Sequence, residues 1–195
     1  MHCYFVIYKP FHVLTQFSSQ EGKATLADYF HVPKDAYPVG RLDYDSEGLL
    51  ILTNDAALNH RILNPGYRHE REYWVQIEGI ITKEAIDILQ KGVTISIDGK
   101  QYKTLPCKSF LFEEPPLVYE RNPPIRFRKN IPVSWIGLTL IEGKNRQVRR
   151  MTAKVGFPTL RLIRYRIEKL TLQNMRPGDM KELTKEEIYE ALLHK

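Results

Sequence analysis

Little in this sequence places it outside the ordinary class of reduced, water-soluble globular chains. Only two of its 195 residues are cysteine, Cys3 and Cys107. They form no CxxC pair and have no histidine pattern beside them, so they read as reduced core thiols rather than zinc ligands or a redox pair. No apolar run approaches the roughly 20 residues that a membrane-spanning helix needs. The opening residues, MHCYFVIYKP, lack the basic lead, the long apolar core and the small-residue cleavage site of a secretory signal. A soluble, intracellular protein is therefore expected. There is no internal repeat. With 43% hydrophobic residues, the chain has material for a sizeable core, in one domain or two small lobes.

Acidic residues are scarce over one long stretch. Between Arg121 and Leu170 there are 13 lysines and arginines against two acids, Glu142 and Glu168; the remaining 145 residues hold 16 basic and 21 acidic side chains. Such a concentration is the footprint of a polyanion binder, although charge alone does not separate RNA, DNA and acidic lipid. Part of the stretch also lacks regular structure. Pro115, Pro116, Pro123, Pro124 and Pro132 interrupt residues 113–134, and Arg121, Arg126, Arg128 and Lys129 make it basic. With Tyr119 and Phe127 interleaved, this loop has charge and stacking surface to offer unpaired bases.

The most informative stretch is GRLDYDSEGLLILTND, from Gly40 to Asp55. Arg41, Asp43, Asp45 and Glu47 make a compact charged loop, and the apolar run Leu49 to Leu52 reads as a buried strand that anchors it. Charged loops held on rigid elements are where catalytic carboxylates tend to sit. Asp43, Asp45 and Glu47 also fall at the first three ligand positions of a calcium loop, but the twelfth position, which needs a bidentate glutamate, holds Asn54.

Periodicity predicts the remaining elements. Tyr4 to Tyr8 form a first strand, and a short helix lies near Ala24–Phe30. Asn54 or Thr53 caps a helix to about Leu63. EREYWVQIE, from Glu70 to Glu78, alternates as a half-buried antiparallel strand. Thr82 starts a helix with Ala85, Ile86 and Leu89 on one face. A hairpin turns at Asp98-Gly99, and Pro106–Phe112 makes another strand. Trp135–Ile141 is a strand leading to a helix over about Asn145 to Val155. That helix puts Val148, Met151, Thr152 and Val155 on one side and Arg146, Arg150 and Lys154 on the other, with Arg149 at the border. Thr159 to Leu172 is β-structure with Arg161, Arg164 and Arg166 pointing outward, and Thr184 caps a last helix that reads as packing material.

Lys9-Pro10 after the opening strand, GRLDYDSEGLLILTND, EREYWVQIEG and EGKNRQVRRM occur in the order and spacing that resemble the RsuA family of RNA pseudouridine synthases, over residues 4–183. The insertion RNPPIRFRKNIPVSW resembles the branch that modifies the large ribosomal subunit. The resemblance implies an α+β pseudouridine synthase fold. Its mixed, mostly antiparallel central sheet is flanked by helices and split into two lobes around a catalytic cleft. It further implies a single catalytic domain over residues 1–195, without the small N-terminal RNA-binding domain of most relatives, and chemistry that uses no cofactor and no metal. The implied reaction detaches uracil from its ribose, rotates it and rejoins it through carbon 5. In this reading Asp43 is the key carboxylate, Arg41 supports the site of the flipped-out nucleotide, Tyr73 stacks on the target base, and Arg149 pairs with the aspartate. Arg71 and Glu72 before Tyr73 depart slightly from the family pattern but keep a positive charge. RNA contacts are expected from Arg126, Arg128, Lys129, Lys144, Arg146, Arg150 and Lys154.

The chemistry of the residues agrees. An enzyme acting on a base must take it out of the stack and hold it against something flat, for which Tyr73 is suited. A carboxylate in an enclosed site needs a permanent cation to stay ionised, which Arg149 supplies. The expected partner is large-subunit ribosomal RNA, free or in an assembly intermediate, handled by a cytoplasmic monomer. A non-catalytic RNA-binding or ribosome assembly module built on the same fold is the competing reading.

Overall fold

The computed structural model describes residues 2–125 and 131–193. In chain order these form β1 (Tyr4–Lys9), β2 (Val13–Leu14), β3 (Ala24–Thr25), β4 (Tyr37–Pro38), β5 (Glu47–Thr53), α1 (Ala56–Leu63), β6 (Arg71–Glu78), α2 (Lys83–Gln90), β7 (Thr94–Ile97), β8 (Lys100–Lys103), β9 (Lys108–Leu111), β10 (Val133–Leu140), α3 (Gln147–Lys154), β11 (Thr159–Ile167), β12 (Leu170–Thr171), β13 (Met180–Glu182) and α4 (Lys185–Leu193). The protein is α+β, with a mostly antiparallel central sheet. The chain divides into two compact units, Met1–His69 with Arg164–Lys195, and Glu70–Ile163.

In the first unit β1 lies between β13 and β5, antiparallel to both, and β4 adds to β5. Every residue of β1 and β5 is buried, which explains why EGLLILT is a continuous apolar run and not an alternating one. One face packs Phe5, Ile7, Leu50 and Leu52 with Val13, Leu26 and Phe30 into a core. Gly48 is required by its surroundings. It has φ +120°, and a Cβ there would come 2.4 Å from the Arg164 carbonyl oxygen.

The cap of α1 differs from expectation: it is Asp55, whose Oδ1 accepts the amides of Ala57 and Leu58 at 3.0 and 3.1 Å. Asn54 and Thr53 are committed elsewhere. Asn54 Oδ1 accepts the Cys3 amide at 2.9 Å, and the Thr53 hydroxyl donates to the Cys3 carbonyl at 2.6 Å. The carboxylate of Asp55 also accepts the hydroxyls of Tyr4 and of Tyr189, the latter on α4, at 2.9 and 2.7 Å. The last helix is thereby tied to the start of α1. Near residue 26 the expected helix contracts to a single 3-10 turn, Leu26–Asp28, closed by a capping box between Thr25 and Asp28.

In the second unit β10 pairs antiparallel with β6 and with β9. Alternate residues of β6, namely Tyr73, Val75 and Ile77, join Ile136, Leu138, Val148 and Met151 in one core, covered by α2 and α3. Thr82 caps α2 by accepting the Ala85 amide, as the sequence predicts. β7 and β8 form the predicted hairpin, with Asp98 and Gly99 both at positive φ in its turn. The basic strand β11 corrects an expectation: Arg161 and Arg164 are buried, at 5% and 4% exposure. Each donates to a backbone carbonyl, Arg161 Nη2 to that of Tyr119 and Arg164 Nε to that of Leu49, both at 2.8 Å. Both cysteines are free thiols.

Candidate active site

The Asp43 loop is held on both sides of the aspartate by one segment of the first unit. Thr15 Oγ1 donates to the Leu42 carbonyl at 2.7 Å and accepts the Leu42 amide at 3.2 Å, in a buried reciprocal clip. On the other side the His12 amide donates to the Tyr44 carbonyl at 2.9 Å. The loop also closes on itself, the Ser46 amide donating to the Asp43 carbonyl at 3.0 Å. Asp43 is half-buried and Arg41 exposed. A carboxylate between two anchored peptides has few backbone conformations to sample, which is what preorganised chemistry requires. Glu47 is different: it is buried within β5. The third acid of the apparent calcium pattern thus belongs to a strand and not to an open loop.

Below the loop lies Lys9, which is fully buried. Its Nζ donates to the carbonyls of Val13 at 2.7 Å and Pro10 at 2.9 Å. Burial pulls the amine down to about 7, against the opposing pull of Glu47 and Asp45. Thr15, His12 and Lys9 therefore form the scaffold of the loop. Sequence reasoning used Lys9 only as a motif and missed the other two, because a single threonine or histidine in a loop carries no periodic signal.

Tyr73 and Arg149 belong to the second unit. Tyr73 sits on β6 opposite Leu138 and is 9% exposed, in the same core cluster as Val148 and Met151 of α3. Arg149 is half-buried in the first turn of that helix. The turn before α3 is built around Glu142. Its Oε1 accepts the Leu105 amide at 2.8 Å and Gln147 Nε2 at 2.6 Å, and its Oε2 accepts the Tyr102 hydroxyl at 2.5 Å. Gln147 Oε1 in turn accepts the Lys144 amide at 2.9 Å. The hydrogen bond to Glu142, aided by burial, pushes Tyr102 up to about 12. Arg146, just before the helix, has left-handed backbone at φ +49°.

Of the basic side chains expected to meet RNA, Lys144, Arg146 and Lys154 are exposed on this unit. Arg150 is half-buried and turned onto its own protein, bonded to the Ser96 carbonyl and, at 3.0 Å, to Asn145 Oδ1. The expected row of three outward cations on α3 is thus two cations flanking an inward-tied arginine. Arg126, Arg128 and Lys129 lie outside the described residues.

The chain belongs to the RNA pseudouridylate synthase family, whose profile matches residues 3–154. Among its relatives, ribosomal large subunit pseudouridine synthase E of Vibrio parahaemolyticus is 49% identical over 175 residues, which is 90% of this chain and 71% of the relative. The protein of the same description from Xanthomonas axonopodis pv. citri is 47% identical over 171 residues, 87% of each chain. A solved structure described as a crystal structure of pseudouridylate synthase matches with a TM-score of 0.80 at 25% identity, covering 98% of this chain and 74% of that one. Among the described residues no helix is long and apolar enough to cross a membrane.

Proposed function

We propose that this chain isomerises one uridine of large-subunit ribosomal RNA to pseudouridine. The observation that carries the reading is the clamped Asp43 loop, in which both peptides flanking the aspartate are hydrogen-bonded to residues 12–15. The relatives named for this activity on the large subunit support the choice of RNA. Asp43 is the catalytic carboxylate, and Arg149 supplies positive charge to the reaction. Tyr73 offers its ring to the uracil, and Arg41 steadies the extruded nucleotide. Lys144, Arg146 and Lys154 contact phosphate, together with Arg126, Arg128 and Lys129. The glycosidic carbon–nitrogen bond breaks, the base rotates, and the ribose is rejoined to carbon 5. The proton released from carbon 5 is balanced by the one gained at the freed nitrogen, so no co-reactant is consumed. The enzyme works as a cytoplasmic monomer.

The test is a carbodiimide-based pseudouridine map of total ribosomal RNA from cells lacking the protein, rescued by wild type or by Asp43→Asn. One large-subunit site lost on deletion, restored by wild type and not by the variant, is the expected result. A map unchanged by deletion overturns the assignment.

A further inference from the structure

Beside Asp43 stands a histidine whose side chain nothing above uses. His12 has left-handed backbone, φ +58°, a region that side-chain-bearing residues enter rarely and histidine more readily than most. Its ring lies between two others. The Phe11 centroid is 3.8 Å away with the planes at 26°, and the Tyr44 centroid is 4.7 Å away with the planes at 6°. Lys23 Nζ lies 5.3 Å from the centroid of the Tyr44 ring, bringing positive charge to the same column. His12 is nevertheless exposed, and among the described residues its ring nitrogens make no hydrogen bond. With both faces covered, what it presents to solvent is its edge, which carries the two nitrogens. Its own amide is bonded to the residue after Asp43.

A ring fixed in orientation, polar edge outward, on the peptide that anchors the Asp43 loop, is arranged to read a hydrogen-bonding edge and not to stack. Unpaired RNA offers such edges on its bases, and it is base contacts, not phosphate contacts, that carry sequence discrimination. We infer that His12 is a specificity-determining positioning residue, hydrogen-bonding through its exposed edge to the base of a nucleotide adjacent to the target uridine. The inference rests on the reading of the chain as a pseudouridine synthase. The Phe11 and Tyr44 rings hold the imidazole so that little rotameric freedom is lost when the contact forms. A non-glycine residue in this conformation is consistent with a side chain kept for use, since glycine enters the region freely.

The experiment uses the full chain and a ribosomal RNA fragment bearing the uridine found by the map described above. The same fragment is also made with an abasic nucleotide at each neighbouring position, and with a methylphosphonate linkage there. Wild type must first convert the parent fragment; failure at that step counts against the proposed function and not against His12. His12→Gly suits the backbone but removes a ring stacked on two others, so a single cooperative melt is required of the variant, which separates a recognition defect from misfolding. The expected result is a KM raised tenfold or more, a larger effect than any on kcat. One abasic substitution should raise the wild-type KM by a similar factor and leave the KM of His12→Gly where it already stands. An unchanged KM in His12→Gly overturns the inference. So does an abasic penalty that adds in full to that of the variant, or a loss reproduced by methylphosphonate alone, which would make the contact one to phosphate.

Discussion

Thr15 and Leu42, 27 residues apart, exchange two hydrogen bonds through one hydroxyl, which donates to the Leu42 carbonyl at 2.7 Å and accepts its amide at 3.2 Å. Both groups are buried, so removing the hydroxyl leaves a buried amide and carbonyl without their partner, at about 1–3 kcal/mol. Thr15→Val should therefore destabilise the chain by about 2 kcal/mol. On the role proposed for Asp43 it should also lower kcat at least tenfold, because a small displacement takes the carboxylate out of alignment with the nucleotide. Thr15→Ser keeps the hydroxyl and should restore most of both. Urea denaturation paired with single-turnover assays checks this; a Thr15→Val enzyme with wild-type kcat would show that the clip does not position the loop.

Asp55 is the second residue whose removal should propagate. It caps α1 and accepts the hydroxyls of Tyr4 and Tyr189. Burial works against its ionisation, but the Leu58 amide and the Tyr189 and Tyr4 hydroxyls prevail and hold its carboxyl below the usual range. A carboxylate with a lowered folded-state value contributes its stability above the unfolded value, near 3.9, and loses it as pH falls through the folded one. The wild type should therefore lose stability below about pH 4, and Asp55→Asn should show a flatter acid limb. At neutral pH, Asp55→Ala should cost about 3 kcal/mol, combining a lost cap with two orphaned hydroxyls. Thermal melts from pH 3 to 7 check both.

Lys9 should give a pH dependence of the same sign in a higher window. Its amine is lowered from 10.5 to about 7, so above pH 7 the unfolded chain binds a proton that the folded chain does not. Stability from this group therefore rises with pH across that window, with a limiting slope of about 1.4 kcal/mol per pH unit. Cys107, pushed up to about 11 by burial, contributes the reverse slope near pH 9. The difference between wild type and Lys9→Met, measured by denaturant titration from pH 7 to 9, isolates the lysine. Parallel curves for the two proteins would mean that the buried amine stays charged.

Lys144, Arg146 and Lys154 should act on binding and not on chemistry. Replacing all three by glutamine should weaken affinity for the RNA substrate and reduce the slope of log Kd against log salt by about 2–3, one increment per lost phosphate contact. Replacing Arg150 should instead reduce stability, since its guanidinium already holds the Ser96 carbonyl and Asn145. Fluorescence anisotropy between 50 and 200 mM salt distinguishes the two classes; an unchanged slope in the triple variant would remove these residues from the interface.

Much of the fold was legible along the chain. The run Leu49 to Leu52, the alternation of β6, the Thr82 cap and the Asp98-Gly99 turn are set by interactions within a few residues, so periodicity and local chemistry report them directly. The cap of α1 was not legible, because choosing among Thr53, Asn54 and Asp55 depended on Cys3 claiming the first two from about 50 residues away. The outward reading of Arg161 and Arg164 failed for a related reason. A strand's alternation says which face a side chain takes, but not whether a carbonyl such as that of Leu49, 115 residues distant, is there to receive a buried guanidinium.

The candidate site divides along the same line. Sequence by itself determined the family, through four motifs in order, and with it the expectation that Asp43, Tyr73 and Arg149 act. Tertiary structure alone decided what holds them. Thr15 and His12 grip the peptides on either side of Asp43, and Glu142 gathers Leu105, Gln147 and Tyr102 beneath the start of α3. Such partners are hydrogen-bonded across tens of residues, and a single polar side chain meeting a distant backbone group leaves no pattern in a linear sequence to find.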